Sequence, residues 1–219
     1  MGGIMKLVLV VILVGGIFAV VKLVSAPTAG PESATGKALL AMTDQDWVRG
    51  ASDAPVTLIE FTDFQCPACG AYFPILEQLS KDMEGKMKLV VRHFPLIQIH
   101  KNALTGARAA EAAGRQGKFW EMYQELYTNQ TEWSNAEDPM KSILPSYSEN
   151  IGLDSAKFRQ DMTDASLDDK ITRDREIGNA LKINGTPTFF VNGDKVTNPT
   201  SVEAFKTLIN EAAKKVAAK

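Results

Sequence analysis

The sequence predicts an α/β fold in which a central mixed sheet carries an inserted all-helical subdomain, in the order βαβ, helices, ββα. A strand–helix–strand pattern occupies residues 56–94, helical signals fill residues 101–183, and a strand–turn–strand–helix pattern follows residue 187. Strands joined by a helical crossover are parallel, whereas strands joined by a two-residue turn are antiparallel. The two kinds of connection together predict a mixed sheet.

The βαβ unit begins at residues 56–61, a short run rich in β-branched and aromatic side chains that predicts a buried strand. A helix is expected from Pro67 to about Met83, because apolar residues recur there at helical spacing. Residues 87–94 repeat the strand pattern and end before Pro95. The spacing predicts that these two strands are parallel neighbours.

The helical insertion, about residues 101–183, contains an alanine-rich segment, an amphipathic aromatic helix and a short helix for which Asp154 is the expected N-cap. After it, residues 188–191 predict a strand, and Asn192-Gly193 is typical of a type I′ hairpin turn. The returning strand is expected at residues 195–197.

Three regions are predicted along the chain: a membrane-addressing segment at residues 1–26, a linker at residues 27–46 and the α/β domain at residues 47–219. Pro, Gly and Ser residues interrupt the linker, which shows no sustained apolar period. The domain closes with a helix, before which Thr200 and Glu203 have the spacing of a capping box.

Residues 1–26 are predicted to place the remainder of the chain outside the cytoplasm. Fifteen uncharged residues separate Lys6 from Lys22, which is typical of a single-pass N-terminal membrane anchor or of a signal peptide. Small residues precede Pro27, but a proline after the expected cleavage position hinders cleavage. We therefore expect a membrane anchor, with a cleaved signal and a secreted or periplasmic domain as the alternative, and a buried core helix as a third.

Composition excludes several classes of protein. Of 219 residues, 45% are hydrophobic and 23% are charged, which excludes a disordered chain, a collagen-like repeat and a multi-span membrane protein. The 24 Lys and Arg side chains against 26 Asp and Glu side chains leave a net charge of −2, whereas nucleic-acid-binding proteins usually carry a basic excess. We therefore expect no nucleic-acid partner. No evident dimerisation segment precedes the domain, so a monomer is expected.

The chemistry is predicted at Cys66-Pro67-Ala68-Cys69, which follows a strand and opens a helix. Positions three apart on a helix lie close enough for a disulfide. Cys66 is expected at the helix N-terminus, where free backbone N–H groups favour the thiolate and lower the thiol pKa. Pro67 suits the first helical turn, which needs no N–H. Cys66 should therefore be the attacking thiolate and Cys69 the shielded thiol that closes the disulfide.

A zinc site and a purely structural disulfide are the alternative interpretations of this cysteine pair. A zinc site would need further ligands, and the chain has only two histidines, so no metal is expected. A purely structural disulfide would close a loop of only four residues and would stabilise the fold little.

Thr186 and Pro187 are the predicted substrate-binding residues. A proline at a strand start after a β-branched residue is a candidate cis peptide, which would turn the Thr186 backbone towards a substrate. The alternative is an ordinary trans proline opening an edge strand.

Glu60 interrupts an apolar strand six residues before Cys66. A buried carboxylate is unfavourable unless it is paired or functional, so Glu60 is predicted to lie beneath the cysteines and exchange a proton with Cys69. The alternative is a solvated or Lys-paired Glu60. The aromatic residues Trp120, Tyr123 and Tyr127 are interpreted as core of the insertion rather than as a binding site.

Two segments carry a resemblance to a known family: residues 60–69 (EFTDFQCPAC) and residues 185–193 (GTPTFFVNG). Together they resemble the DsbA-like thiol-disulfide oxidoreductases over about residues 48–217. The resemblance implies a thioredoxin fold with a helical insertion and an enzyme that acts outside the cytoplasm. It also implies that Cys66 is the nucleophile, Cys69 the resolving cysteine and Pro187 the cis-proline.

The same resemblance implies Glu60 as the buried acid and no cofactor beyond the Cys66–Cys69 disulfide. The best-known strong oxidant of the family has a histidine where this chain has Ala68, which leaves the reduction potential open. The leading hypothesis is a dithiol oxidase of reduced exported proteins that a membrane redox partner reoxidises. A reductase or isomerase of misoxidised exported proteins and a non-catalytic peptide-holding module are the alternatives.

Overall fold

The computed structural model describes residues 36–142 and 144–218. The predicted anchor or signal at residues 1–26 lies outside the described residues, as does the first part of the linker. Among the helices that the structure describes, none has the length and apolar character needed to cross a membrane.

A five-stranded mixed sheet forms the centre of the domain, which confirms the predicted fold class. The strands are β1 (Trp47–Arg49), β2 (Val56–Thr62), β3 (Met87–His93), β4 (Thr188–Val191) and β5 (Asp194–Lys195). Their order across the sheet is β1-β3-β2-β4-β5. The β2 and β3 strands pair in parallel from Val56 opposite Met87 to Thr62 opposite His93, and the other pairs are antiparallel.

Helices supply the crossover, the insertion and the C-terminus. They are α1 (Pro67–Asp82), α2 (Ala103–Gly114), α3 (Phe119–Thr128), α4 (Gln130–Asn135), α5 (Pro139–Ser142), α6 (Leu144–Asn150), α7 (Ser155–Met162), α8 (Leu167–Ala180) and α9 (Val202–Ala217). The α1 helix joins the two parallel strands, α2 to α8 form the insertion between β3 and β4, and α9 packs against α1.

Side-chain alternation along β2 decides which groups face α1. Val56 and Leu58 belong to the buried cluster that includes Leu76 and Leu79 of α1. The intervening Ile59 belongs to a second cluster on the opposite face. Because successive strand residues point to opposite faces, Glu60 shares the face of Leu58 and is directed towards α1.

One of the two predicted helix N-caps is confirmed and the other is wrong. Asp154 caps α7 as predicted, because its carboxylate accepts hydrogen bonds from the backbone N–H groups of Ala156 and Lys157. The predicted capping box at Thr200 is wrong. Ser201 is the N-cap of α9 instead, and its hydroxyl accepts from the Ala204 N–H.

The hairpin turn agrees with its prediction, since φ is positive at both Asn192 (48°) and Gly193 (86°). The returning strand is shorter than expected and lies at Asp194–Lys195. The edge strand β1 was not predicted, because three residues are too few to show an alternating pattern.

Part of the predicted linker packs on the sheet through Arg92. The Arg92 side chain is 1% exposed and forms a salt bridge with Asp46, whose side chain is fully buried, at 3.0 Å. It also donates hydrogen bonds to the carbonyl oxygens of Leu39 and Ala41, both at 2.9 Å. Although burial raises the pKa of Asp46, the hydrogen bonds from Arg92 and the Thr43 N–H hold it below its ordinary value. The domain boundaries stay a prediction.

Candidate active site

Cys66 lies at the N-terminus of α1, directly after the loop that leaves β2. It is the N-cap residue with φ −68° and ψ 120°, and Pro67 occupies the first helical position. Its backbone N–H donates to the Asp63 carbonyl at 3.0 Å, which closes the loop as a tight turn. Both cysteines are free thiols. Cys66 is 7% exposed and Cys69 is fully buried, whereas Pro67 and Ala68 between them are exposed.

The two thiols have opposite ionisation behaviour. A hydrogen bond from Cys69, together with the Thr186 side chain and the backbone N–H groups of Ala68 and Cys69, lowers the pKa of Cys66 to about 5 despite burial. Burial raises the pKa of Cys69 well above its ordinary value, and its hydrogen bond to Cys66 and the negative charge of Glu60 raise it further. At neutral pH, Cys66 is therefore a thiolate and Cys69 a neutral thiol.

The loop that contains Thr186 and Pro187 lies beside Cys66. The Thr186–Pro187 peptide bond is cis, as predicted. The Thr186 carbonyl oxygen is 3.4 Å from the Cys66 sulfur. The Thr186 hydroxyl is buried without a hydrogen-bond partner among the described residues, so it is a donor available to the thiolate. Asn198 supports the loop by donating to the Pro187 carbonyl at 2.8 Å.

Glu60 is a buried acid, 1% exposed, on the same side of the sheet as the cysteines. Thr62 Oγ1 donates to its Oε1 at 3.0 Å, and the Tyr123 hydroxyl donates to its Oε2 at 3.4 Å. Burial raises the pKa of Glu60 to about 7, against the lowering effect of these two hydrogen bonds and with a further contribution from the Cys66 charge. Glu60 can therefore gain and lose a proton near neutral pH. The alternative of a solvated or Lys-paired Glu60 is wrong.

The insertion contributes hydroxyl groups to this buried acid. Tyr123 and Tyr127 belong to the core of α3, as interpreted from the sequence. They also make two polar contacts that were not predicted. The Tyr127 hydroxyl is 2.6 Å from Thr62 Oγ1, and the Tyr123 hydroxyl donates a hydrogen bond to Glu60. Two sequence signals could have found this group. Thr62 lies two residues after Glu60 on the same strand face, and Tyr127 lies four residues after Tyr123 on the same helix face.

Gln130 of α4 holds the active-site turn against the insertion. Its Nε2 donates to the carbonyl oxygens of Phe64 at 2.7 Å and Cys66 at 2.9 Å. A Cβ atom at Gly70 would collide with the end of the Gln130 side chain, so glycine permits this close approach without displacing Gln130. No local sequence pattern distinguishes Gln130 from other surface glutamines, and sequence reasoning missed it.

The two histidines differ in their surroundings. His100 Nδ1 is 2.6 Å from Oδ2 of the buried Asp63, whose other oxygen accepts from the Gln65 N–H, so this pair supports the turn before Cys66. His93 is fully buried in the core, where its Nε2 is 2.6 Å from Glu111 Oε1. Within the described ranges, no group of three or more His, Cys, Asp or Glu side chains could hold a metal ion.

The structure therefore brings together five of the predicted site residues: Cys66, Cys69, Glu60, Thr186 and Pro187. Pro67 and Ala68 form the exposed start of the helix between the cysteines. The roles assigned to all seven residues stay predictions.

Comparison with known proteins decides the family. A family model described as Thioredoxin matches residues 42–211, which is most of the chain. The chain belongs to the thioredoxin family. A "Probable disulfide bond formation protein D" of Bacillus cereus is 34% identical over 174 residues, covering 76% of this chain and 78% of that protein. The crystal structure of alpha-DsbA1 from Wolbachia pipientis has a TM-score of 0.72 at 23% identity, covering 84% of this chain and 98% of that chain. The DsbA-like resemblance is confirmed.

Longer proteins also match this thioredoxin-family chain. "Na(+)/H(+) antiporter NhaA 3" of Salinispora tropica is 38% identical over 169 residues, covering 77% of this chain. The matched part is 25% of the antiporter, so the chain spans about a quarter of the length of such relatives.

Proposed function

We propose that this chain is a thiol-disulfide oxidoreductase that acts as a dithiol oxidase on exported proteins. The observation that carries the proposal is the opposite ionisation of the two cysteines. The pKa of Cys66 is lowered to about 5, whereas that of the buried Cys69 is raised. A thiol with a low pKa is the better leaving group, so a mixed disulfide at Cys66 is readily released once the substrate has been oxidised.

The oxidase reaction uses two thiol–disulfide exchanges. A substrate thiolate attacks Cys66 of the Cys66–Cys69 disulfide, so that the substrate–Cys66 bond forms, the bond between the cysteines breaks, and Cys69 leaves as a thiolate that takes a proton from Glu60. The second substrate thiolate then attacks the first substrate sulfur and forms the substrate disulfide. Cys66 leaves as a thiolate and stays unprotonated at neutral pH. The substrate is oxidised by two electrons and the enzyme is reduced by two, while solvent returns the proton to Glu60.

The low pKa of Cys66 favours the oxidising direction. Compared with a thioredoxin thiol of pKa about 7, a pKa of about 5 stabilises the reduced form by about 2 kcal/mol at pH 7. For a two-electron couple this corresponds to about 50 mV. We therefore expect a reduction potential of about −220 mV, compared with about −270 mV for thioredoxin.

Substrates are proposed to be extended, reduced polypeptides. The Thr186 backbone beside Cys66 would pair with an extended segment in the manner of an added strand. Two large apolar side chains are also available on the loop between β3 and α2, Ile97 at 43% and Ile99 at 74% exposure. This loop is fixed to the active-site turn, because the Leu96 N–H donates to Asp63 at 3.0 Å. Apolar contacts of this kind favour unfolded chains over folded surfaces.

The proposed location is the extracytoplasmic side of the cell membrane. The support is the uncharged segment between Lys6 and Lys22. A secreted or periplasmic protein after signal cleavage is the alternative. A membrane redox partner is proposed to reoxidise the cysteines of the monomeric enzyme.

The first experiment is a redox equilibrium of the full chain in graded glutathione buffers, with the oxidised fraction determined by thiol alkylation and mass spectrometry. A midpoint between about −220 and −120 mV supports the oxidase, whereas a midpoint near about −270 mV favours the reductase. A pair that stays oxidised below about −300 mV would indicate a structural disulfide and reject the enzyme. Oxidation of a reduced unfolded protein must disappear in Cys66→Ser.

A peptide-holding module is the second candidate, favoured by the exposed Ile97 and Ile99. It would suppress aggregation of an unfolded protein equally well in Cys66→Ala and in the native chain. If the chain is an oxidase with no holding activity, Cys66→Ala should no longer form disulfides in the substrate, and neither Cys66→Ala nor the native chain should suppress aggregation.

A further inference from the structure

We propose that Gln130 of the helical insertion is a positioning residue for closure of the Cys66–Cys69 disulfide. The inference rests on the proposed function, in which this disulfide opens and closes in each cycle, and it assigns the contact that keeps Cys66 in line with Cys69. Gln130 belongs to α4, whereas the cysteines lie at the start of α1. The insertion therefore takes part in the exchange reaction.

Closure of the disulfide depends on where the Cys66 backbone is held. Cys69 lies inside α1 and is fully buried, so the helix fixes the direction of its side chain. Cys66 is the N-cap, with φ −68° and ψ 120°, and it precedes Pro67, which has no N–H to donate. Thiol–disulfide exchange needs the three sulfur atoms nearly in line, so a small rotation of the Cys66 backbone misdirects its sulfur.

Two hydrogen bonds from Gln130 restrain this backbone. Its Nε2 donates to the Cys66 carbonyl at 2.9 Å and to the Phe64 carbonyl at 2.7 Å. Carbonyl oxygens only accept, so the NH2 group of the amide must face them and both of its hydrogens are used. The Cys66 carbonyl also accepts from the Gly70 N–H at 3.1 Å, and the Cys66 N–H donates to the Asp63 carbonyl at 3.0 Å. Gln130 therefore bridges the turn that ends at Cys66.

The α4 helix that carries Gln130 is itself held in place. Trp133 is fully buried and anchors the middle of α4 in the core. The Ser134 carbonyl accepts from Gln65 Nε2 at 3.0 Å and from Asn102 Nδ2 at 3.0 Å. Gln130 consequently donates from a fixed position.

Gly70 leaves room for the Gln130 amide. A Cβ atom at this position would lie 2.4 Å from Oε1 of Gln130 and 3.1 Å from Nε2, the atom that makes both hydrogen bonds. The end of the Gln130 side chain can rotate away from such an atom, but it then leaves the Cys66 and Phe64 carbonyls. Gly70→Ala should therefore break the same restraint as loss of the Gln130 amide, although alanine is the better helix former.

The test follows reoxidation of the reduced full chain by glutathione disulfide, which has two separable steps. First, the Cys66 thiolate attacks glutathione disulfide, which forms a Cys66–glutathione bond and releases one glutathione. Second, Cys69 gives up its proton and attacks Cys66, which forms the Cys66–Cys69 bond and releases the other glutathione. The protein loses two electrons and glutathione disulfide gains two, with uptake of the released protons by the glutathione thiolates. Rapid acid quenching and mass spectrometry measure both rates.

Gln130→Ala should keep the first rate within about twofold of the native chain and slow the second by about 10-fold, because orientation matters most for the intramolecular attack. Gln130→Met keeps the side-chain length but has no donor, so it should be as slow as Gln130→Ala. The matched control is Gln78→Ala, which removes an exposed glutamine of α1 that donates to Asp82 instead. Both of its rates should equal those of the native chain.

A double-mutant cycle separates the positioning role from a general loosening of the helix. Gly70→Ala alone should slow the second step by about 10-fold. In the Gln130→Ala background the added Cβ atom has no amide to displace, so Gly70→Ala should change that step by less than about twofold. The double variant should therefore be about as slow as either single variant, rather than about 100-fold slower than the native chain.

Three results would overturn the positioning role. They are closure at the native rate in Gln130→Ala and Gly70→Ala, equal slowing of both steps, and single effects that multiply in the double variant. In each case the reaction of the native chain with glutathione disulfide still supports the proposed thiol–disulfide chemistry. If Cys66 of the native chain forms no mixed disulfide with glutathione, the proposed function fails and the positioning role fails with it.

Discussion

Replacement of Glu60 by Gln should stabilise the reduced protein, and the gain should depend on pH. Glu60 is 1% exposed, and burial raises its pKa from 4.5 to about 7. Between these two values the folded protein binds more protons than the unfolded chain, so the stability of the native protein falls as the pH rises through this window. Gln has a similar shape and no charge, so the variant lacks this loss.

The magnitude follows from the two pKa values. The difference between 4.5 and about 7 corresponds to about 3 kcal/mol of unfolding free energy when the pH is above both values. At about pH 5 most of this loss is still absent, and at about pH 8 nearly all of it is present. Relative to the native protein, Glu60→Gln should therefore gain about 2 to 3 kcal/mol between these conditions, whatever constant effect the amide itself has.

Urea denaturation of the reduced proteins at about pH 5 and about pH 8, in the presence of a reductant, measures this difference. The matched control is Glu84→Gln, which makes the same chemical change at an exposed position on the surface. A stability difference between Glu60→Gln and native protein that is equal at both pH values would refute the reasoning, because it would mean that Glu60 is ionised at about pH 5 in the folded protein.

Three further changes test other contacts. Thr186→Val removes the hydroxyl available to the thiolate. Since such a bond contributes about 1.5–3 kcal/mol, the pKa of Cys66 should rise from about 5 towards 6 or 7, and the midpoint potential at pH 7 should fall by about 30–50 mV. An unchanged thiolate absorbance titration would contradict this. Arg92→Met leaves the buried Asp46 with Arg173 at 3.6 Å as its remaining ion-pair partner and should lower the unfolding free energy by about 3 kcal/mol in urea. A loss below about 1 kcal/mol would show that the Arg92–Asp46 pair contributes little. Ser201→Ala removes the N-cap of α9 and should lower stability by about 1 kcal/mol in thermal unfolding, an effect that Ser201→Asp should not show.

The sheet and the main helices could be predicted because each depends on a periodic pattern within one segment. The strand at Val56–Thr62 and the helix at Pro67–Asp82 agree with their predictions to within one residue. The edge strand Trp47–Arg49 could not be predicted, since its pairing with β3 depends on residues about 40 positions away. The capping box failed for a related reason: both Thr200 and Ser201 have a suitable hydroxyl, and the backbone of the folded chain selects between them.

The active site also combines features that depend on one segment of the chain with features that depend on distant residues. The cysteine pair at the start of α1 and the Thr186–Pro187 loop could be predicted from the sequence, because a C-x-x-C pair at a strand–helix junction and an X-Pro bond at a strand start are local features with local chemistry. It also indicated that Glu60 lies in a buried strand. What surrounds that carboxylate depends on the folded chain, because burial raises its pKa while a hydrogen bond from the Tyr123 hydroxyl, 63 positions away in the chain, opposes the rise. Burial energies and hydrogen bonds depend on distances in space, and a pattern within one segment carries no information about a partner from another.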